Sequence, residues 1–212
     1  MDRPTLRWER DLLRSGVRRL GAVDEVGRGS PAGPVTVGLV VIDARTGRPP
    51  AGIRDSKLLA PVVRQDLAPR IRAWAVASAL GSAGPDEVDE LGVTGALGLA
   101  AARALAALDE SPDLLVVDGN HDWVTPALVG RPAGPPRVLT RVRADRTCTS
   151  VAAASILAKV ARDAVMVELA GEFPAYGWEA NKGYGTDEHL AAIRRHGPSP
   201  HHRISWRLPV QV

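Results

Sequence analysis

Cysteine is almost missing from this 212-residue chain: Cys148 stands alone, which excludes an intramolecular disulfide and any cysteine-rich zinc cluster. Long apolar runs are missing too. No stretch approaches the roughly 20 residues that cross a bilayer, and the N-terminal Met1-Asp-Arg-Pro-Thr-Leu-Arg-Trp-Glu-Arg10 lacks the apolar centre of a secretory signal, so a cytoplasmic protein is expected. Lysine is scarce. Of 27 basic residues only Lys57, Lys159 and Lys182 carry an ammonium, and in a chain that otherwise uses arginine they mark places where a compact charge suits better than a planar fork. The five tryptophans are scattered, which suits packing more than a platform for stacked bases. His189, His196, His201 and His202 lack the spacing of a zinc site. What remains is an ordinary folded composition, 45% hydrophobic and 24% charged, with a net charge of +3 that permits a nucleic-acid partner. The length fits one α/β domain with a small helical appendage.

Against that background one cluster stands out: Gly21-Ala-Val-Asp24-Glu25-Val-Gly27-Arg28-Gly29. Adjacent carboxylates at the end of an apolar strand repel each other and lose solvation, so the pair is costly unless cations neutralise it. A divalent metal is the obvious cation. The Gly-Arg-Gly turn offers backbone amides and one guanidinium with nothing bulky in the way, which suits a phosphodiester. Metal beside phosphate suggests a nuclease.

The hydrophobic pattern predicts a short helix over 5–17, strands at Ala22-Val23 and Pro34–Ile42, and a helix from Pro61 to Arg72. It continues with a strand over Trp74–Leu80, a short helix opening at Pro85 and a second over Thr94–Leu108. The short apolar run Asp113-Leu-Leu-Val-Val-Asp118-Gly119 reads as a strand ending in a carboxylate, the place where open α/β sheets put their chemistry. A Gly/Pro-rich loop over 130–136 leads to a fifth strand, Arg137–Arg143, whose end carries Asp145. A long helix over Ser150–Leu169 and a last one over Asp187–His196, capped by Thr186, complete the chain. The acids of Pro85–Glu90 read as a solvated first helical turn. Asp163 reads as a structural partner from the long helix, and His121 and Asp122 fall in a surface loop.

Taken in order, Asp24-Glu25-Val-Gly-Arg-Gly29, Ala32-Gly-Pro-Val35, Asp55-Ser-Lys57, Val117-Asp-Gly119, Ala144-Asp145, Ala152-Ala-Ala-Ser-Ile-Leu-Ala-Lys159, Arg162-Asp163 and Lys182-Gly-Tyr-Gly-Thr186 closely resemble bacterial ribonuclease HII, the type 2 ribonuclease H, over about 17–208. The resemblance implies a ribonuclease H-like α/β fold: a five-stranded mixed sheet flanked by helices, within one catalytic domain spanning 1–212. Residues 1–16 would form an N-terminal helix and about 165–212 a C-terminal helical part. It implies cleavage of RNA in RNA–DNA hybrids and 5′ of single ribonucleotides in duplex DNA, leaving 3′-hydroxyl and 5′-phosphate ends, in ribonucleotide removal and primer clearance.

The resemblance carries over the catalytic and metal-binding acids as Asp24, Glu25, Asp118 and Asp145, with two Mg²⁺ or Mn²⁺ ions as cofactors. It also carries over substrate-binding positions: Gly27, Arg28 and Gly29 at the 2′-hydroxyl and its phosphate, Tyr184 on the sugar at the junction, and Lys57, Lys159 and Lys182 near the backbone. The expected partner is nucleic acid, with no membrane and a monomeric enzyme. Departures from the family pattern are Pro31 for leucine, Ala144 for glycine, and Thr147 for lysine, the last offset by Arg143 or Arg146. The chain stops soon after Trp206 and has no large segment before Asp24, which favours this type over ribonuclease HIII. A junction resolvase would keep the acids but have no use for Arg28 and Tyr184 as sugar sensors, and a non-catalytic binding module would not need the acid set.

Overall fold

The computed structural model describes residues 3–130 and 134–209; residues 131–133 of the expected Gly/Pro loop lie outside the described residues. Five strands, β1 (Arg19–Val26), β2 (Val35–Asp43), β3 (Ala77–Ala83), β4 (Leu114–Asp118) and β5 (Arg137–Arg141), form one sheet in the order β3-β2-β1-β4-β5. The first three are antiparallel neighbours, while β4 and β5 run parallel to β1, so the sheet is mixed as expected. The described residues also form seven α-helices: α1 (Arg7–Arg14), α2 (Pro61–Trp74), α3 (Pro85–Ala106), α4 (Ala144–Thr147), α5 (Thr149–Glu172), α6 (Trp178–Asn181) and α7 (Asp187–His196).

Alternation along the strands divides the core in two. Leu20, Ala22, Val40, Ile42 and Val116 face α5 and α2, whereas Val23, Val37, Leu39, Leu115 and Val117 face α3. The long helix lies close on the sheet because Gly38 of β2 has no Cβ; one there would collide with the backbone carbonyl of Ala154. A third, smaller cluster of Ala32, Met166, Tyr176, Trp178 and Ile193 binds the C-terminal helices to the loop after β1.

Three expectations change. The third strand starts at Ala77 and runs through Gly81 to Ala83 rather than spanning Trp74–Leu80. Gly81 is not a strand breaker here: a Cβ would strike the backbone of Ala100 and Ala104, so the residue permits close packing of α3. The two helices expected after Pro85 are merged into α3 across a kink at Gly92, whose φ of 69° is left-handed. Finally, Asp145 does not end a strand. β5 stops at Arg141, Arg143 turns the chain with φ 58°, and Asp145 falls in the first turn of α4. Thr186 caps α7 as expected, its Oγ1 accepting from the His189 amide.

Candidate active site

The parallel pairing of β1 and β4 sets Val23 opposite Val117, so Asp24 and Asp118 come next on neighbouring strands, where β4 finishes and β1 has two residues left to run. Asp118 Oδ1 accepts from the Ala144 amide at 2.6 Å, which ties the turn carrying Asp145 to the end of β4. Asp24 Oδ1 accepts from the Glu25 amide at 2.9 Å. Glu25 leans toward Arg28, 3.5 Å away, and its Oε2 is buried without a hydrogen-bond partner. The four predicted acids therefore share one neighbourhood at one end of the sheet.

Electrostatics reports the crowding. Burial and the charge of Glu25, with smaller contributions from Asp118 and Asp145, hold the Asp24 carboxyl well above the usual aspartate range. Burial raises Glu25, an effect Arg28 opposes and Asp118 reinforces. Burial, then Asp118 and Asp55, raise Asp145. Burial works against the Lys57 ammonium, but Asp24, Asp55, Asp145 and Glu25 outweigh it and keep its pKa above the ordinary lysine value. One lysine cannot neutralise so many carboxylates.

Among the described residues no three carboxylate, imidazole or thiol groups converge into a closed metal cage. Asp24 and Asp118 each commit an oxygen to a backbone amide. The donor set nonetheless fits a hard divalent ion. It is all oxygen, it holds an orphaned buried carboxylate oxygen on Glu25, and Mg²⁺-type ions take one or two carboxylates and keep several waters rather than filling a protein cage.

Beside the acids lies a cleft of about 470 Å³ lined by Gly27, Arg28, Gly29, Lys57, Lys159 and Tyr184, with Glu25 and Ser155 at its edge. Six of the seven predicted substrate-binding residues are thus brought together. Gly27, at φ 90°, is needed by the protein itself, since a Cβ would collide with Arg162. Gly29 is not: a Cβ there would meet no atom within 4 Å, leaving open space above the turn. The Lys159 ammonium lies 5.2 Å from the centre of the Tyr184 ring and is paired with Asp163 at 2.7 Å. Lys182 is the exception. It adopts φ 51°, its ammonium donates to the Glu179 carbonyl, and it lines a separate cleft with Arg64 and Asp163. Next to Thr147, the half-exposed Arg146 faces Asp55 at 3.5 Å.

Three residues matter more than the sequence reading allowed. Arg162, fully buried, donates to the carbonyls of Pro34, Lys182 and Ala32 and to Ser30 Oγ, all within 2.9 Å. Arg203, also buried, donates to the carbonyls of Arg28, Gly27 and Gly33. Together they shape the Gly-Arg-Gly turn from behind. Asp55, 2% exposed, joins the carboxylate cluster with an Oδ2 that accepts no hydrogen bond and has only the Arg146 guanidinium near it, at 3.5 Å. The Arg-Asp pair on the long helix was visible as a motif, but a buried role for its arginine could be inferred only from the partners.

Tyr184 is also held from below. Trp178 Nε1–H donates to His189 Nε2, so the His189 proton lies on Nδ1 and is donated to the Tyr184 carbonyl at 2.8 Å. The Ser199 amide donates to His202 Nδ1, so the His202 proton lies on Nε2 and points at His189 Nε2, 3.1 Å away. Both rings must be neutral. Burial and the adjoining His189 push His202 down to about 4 from its ordinary 6.5. The unfolded chain takes up the proton first, so this stabilisation is complete above about pH 6.5 and disappears as pH falls toward 4. Urea unfolding of the wild type should lose on the order of 2 kcal/mol across that window relative to His202→Gln. Parallel pH profiles for the two proteins would refute the assignment.

Comparison with known proteins places these features in a family. The model of the family described as Ribonuclease HII matches residues 20–208. A ribonuclease HII of Streptomyces avermitilis is 46% identical over 204 residues, covering 96% of this chain and 83% of the relative. The ribonuclease H2 of Pyrococcus horikoshii OT3 superposes with a TM-score of 0.72 at 25% identity, over 90% of this chain and 95% of that one. Bst-RNase HIII in complex with Mn²⁺ shares the fold, with a TM-score of 0.69 at 20% identity over 94% of this chain and 70% of its own.

Proposed function

The chain belongs to the ribonuclease HII family, endonucleases of the ribonuclease H type, and from that premise we propose that it cuts the RNA strand of RNA–DNA hybrids and cuts duplex DNA 5′ of a single embedded ribonucleotide. The products are a 3′-hydroxyl and a 5′-phosphate, in ribonucleotide removal and primer clearance. The observation that carries this reading is the junction of two surfaces: a crowded carboxylate cluster of Asp24, Glu25, Asp118 and Asp145, and an open Gly27-Arg28-Gly29 turn facing Tyr184 in the adjoining cleft.

Asp24, Glu25, Asp118 and Asp145 would hold two Mg²⁺ or Mn²⁺ ions, which supply an activated water and stabilisation of the leaving oxygen. The protein's own groups select the substrate. Backbone amides of the Gly27–Gly29 turn and the Arg28 guanidinium take the phosphate and the 2′-hydroxyl, the chemical mark that separates RNA from DNA. The open space at Gly29 admits that sugar edge. Tyr184, fixed by His189 behind it and flanked by Lys159 and Arg162, packs on the sugar at the RNA-to-DNA junction. Lys57 keeps its proton among the acids and lies in reach of the approaching backbone.

The test is cleavage of a labelled DNA duplex carrying one ribonucleotide, with Mg²⁺, with Mn²⁺ and with chelator, beside an all-DNA duplex. A metal-dependent cut 5′ of the ribonucleotide with the control intact is expected. Cutting of both duplexes would make the protein a general nuclease, and no cutting by folded protein would end the proposal.

A further inference from the structure

A second basic groove begins where the carboxylate cluster ends. It is lined by Arg3, Thr5, Arg7, Trp8, Arg141 and Arg146, and Arg146 directly follows Asp145. The groove is built by pairing two distant parts of the chain: the Thr5 amide donates to the Thr147 carbonyl and the Thr149 amide donates to the Thr5 carbonyl. This fastens the first helix alongside the turn that carries Asp145. Behind it, Glu9 is fully buried and accepts from the Ser150 amide and hydroxyl at the start of α5, so the position of α1 is fixed.

The charge in the groove is unbalanced. Neither Arg3 nor Arg7 pairs with an acid among the described residues, and both are exposed. The acid that does line it, Asp11, is already neutralised by Arg14 at 2.9 Å. The Arg141 guanidinium lies over the Trp8 ring, 4.5 Å from its centre, with Nε donating to Thr147 Oγ1. A fixed guanidinium on an indole, with two free guanidinia beside it, suits the repeated phosphate and apolar sugar edge of a nucleic-acid strand better than a compact anion.

We propose that this groove carries the phosphodiester backbone of the duplex beyond the cleaved bond, so that the first helix is part of the substrate track. The inference rests on the nuclease reading above, because continuity with the carboxylate cluster is what identifies the polyanion. Arg3 and Arg7 act as backbone-positioning contacts, raising affinity without reading sequence.

Binding of a fluorescent RNA–DNA hybrid, followed by anisotropy in chelator across a salt titration, tests it. Arg3→Ala with Arg7→Ala should weaken binding about tenfold and flatten the salt dependence by about two, roughly one per lost phosphate contact. Arg7→Lys, which keeps the charge, should restore about half of the lost slope when paired with Arg3→Ala. Arg7→Glu alone serves as a second variant and should weaken binding further than Arg7→Ala. Affinity and salt slope equal to wild type in these variants would overturn the groove. Cleavage by the wild-type protein is measured beside it: normal cleavage with an unchanged slope removes only the groove, whereas no cleavage with an arginine-dependent slope removes the nuclease reading and leaves a duplex-binding surface.

Discussion

Asp24→Asn is expected to reduce cleavage of a ribonucleotide-containing duplex by roughly a thousandfold or more, because a metal-bound transition state is worth several kcal/mol. The same change should leave the metal-free protein folded and more stable, on the order of 1 kcal/mol. Both signs have one cause. Asp24 is 6% exposed, stands beside Glu25, and feels Asp118 and Asp145. Without cations its charge is a repulsive load on the fold, and the amide removes that load while keeping the shape. The gain in melting temperature that Mn²⁺ gives the wild type should shrink in the variant. An asparagine protein that still cuts at the wild-type rate would dismiss Asp24 from the chemistry, and one that is less stable without metal would dismiss the repulsion argument.

Arg162→Met should cost about 4 kcal/mol, a large part of the stability of an ordinary domain. The methionine fills the space but strands the carbonyls of Pro34 and Lys182 in a buried site, and leaves the Ala32 carbonyl and the Ser30 hydroxyl only their bonds to each other and to Gly183. Those acceptors belong to two loops, one leading from the Gly-Arg-Gly turn and one leading to Tyr184, so the loss should reach the cleft as well as the fold. Arg162→Lys should be nearly as damaging, since one ammonium cannot reach acceptors that a planar fork spans. The shift in urea midpoint measures it. A loss below about 1 kcal/mol would mean that water replaces the guanidinium and that the loops hold themselves.

The acids at one end of the sheet were legible because their chemistry is unusual for their place: a carboxylate pair near the end of an apolar strand and another at the end of Leu-Leu-Val-Val. The five strands were legible from apolar runs, to within a few residues. What was not legible depended on single backbone turns or distant partners. Asp145 looked like a strand end because nothing in Arg-Val-Arg announces that Arg143 will adopt φ 58°. Lys182 was expected beside Tyr184 in the cleft because its motif is read as a unit, whereas its ammonium donates to the Glu179 carbonyl and lines a separate cleft. Arg203 gave no local sign. Its value comes from carbonyls at Arg28, Gly27 and Gly33, and sequence pattern carries no record of such pairs.

The hydrogen bond from Arg203 to the Arg28 carbonyl spans 175 positions of sequence. Synthesis proceeds from the N-terminus, so the turn beside Asp24 leaves the ribosome long before the side chain that braces it. A chain not yet extended past Arg203 therefore has the acids and all five strands but lacks the brace behind the Gly27–Gly29 turn. The same closure makes the segment around Arg203 a latch that shuts on the turn carrying Arg28 from the far end of the fold's sequence order.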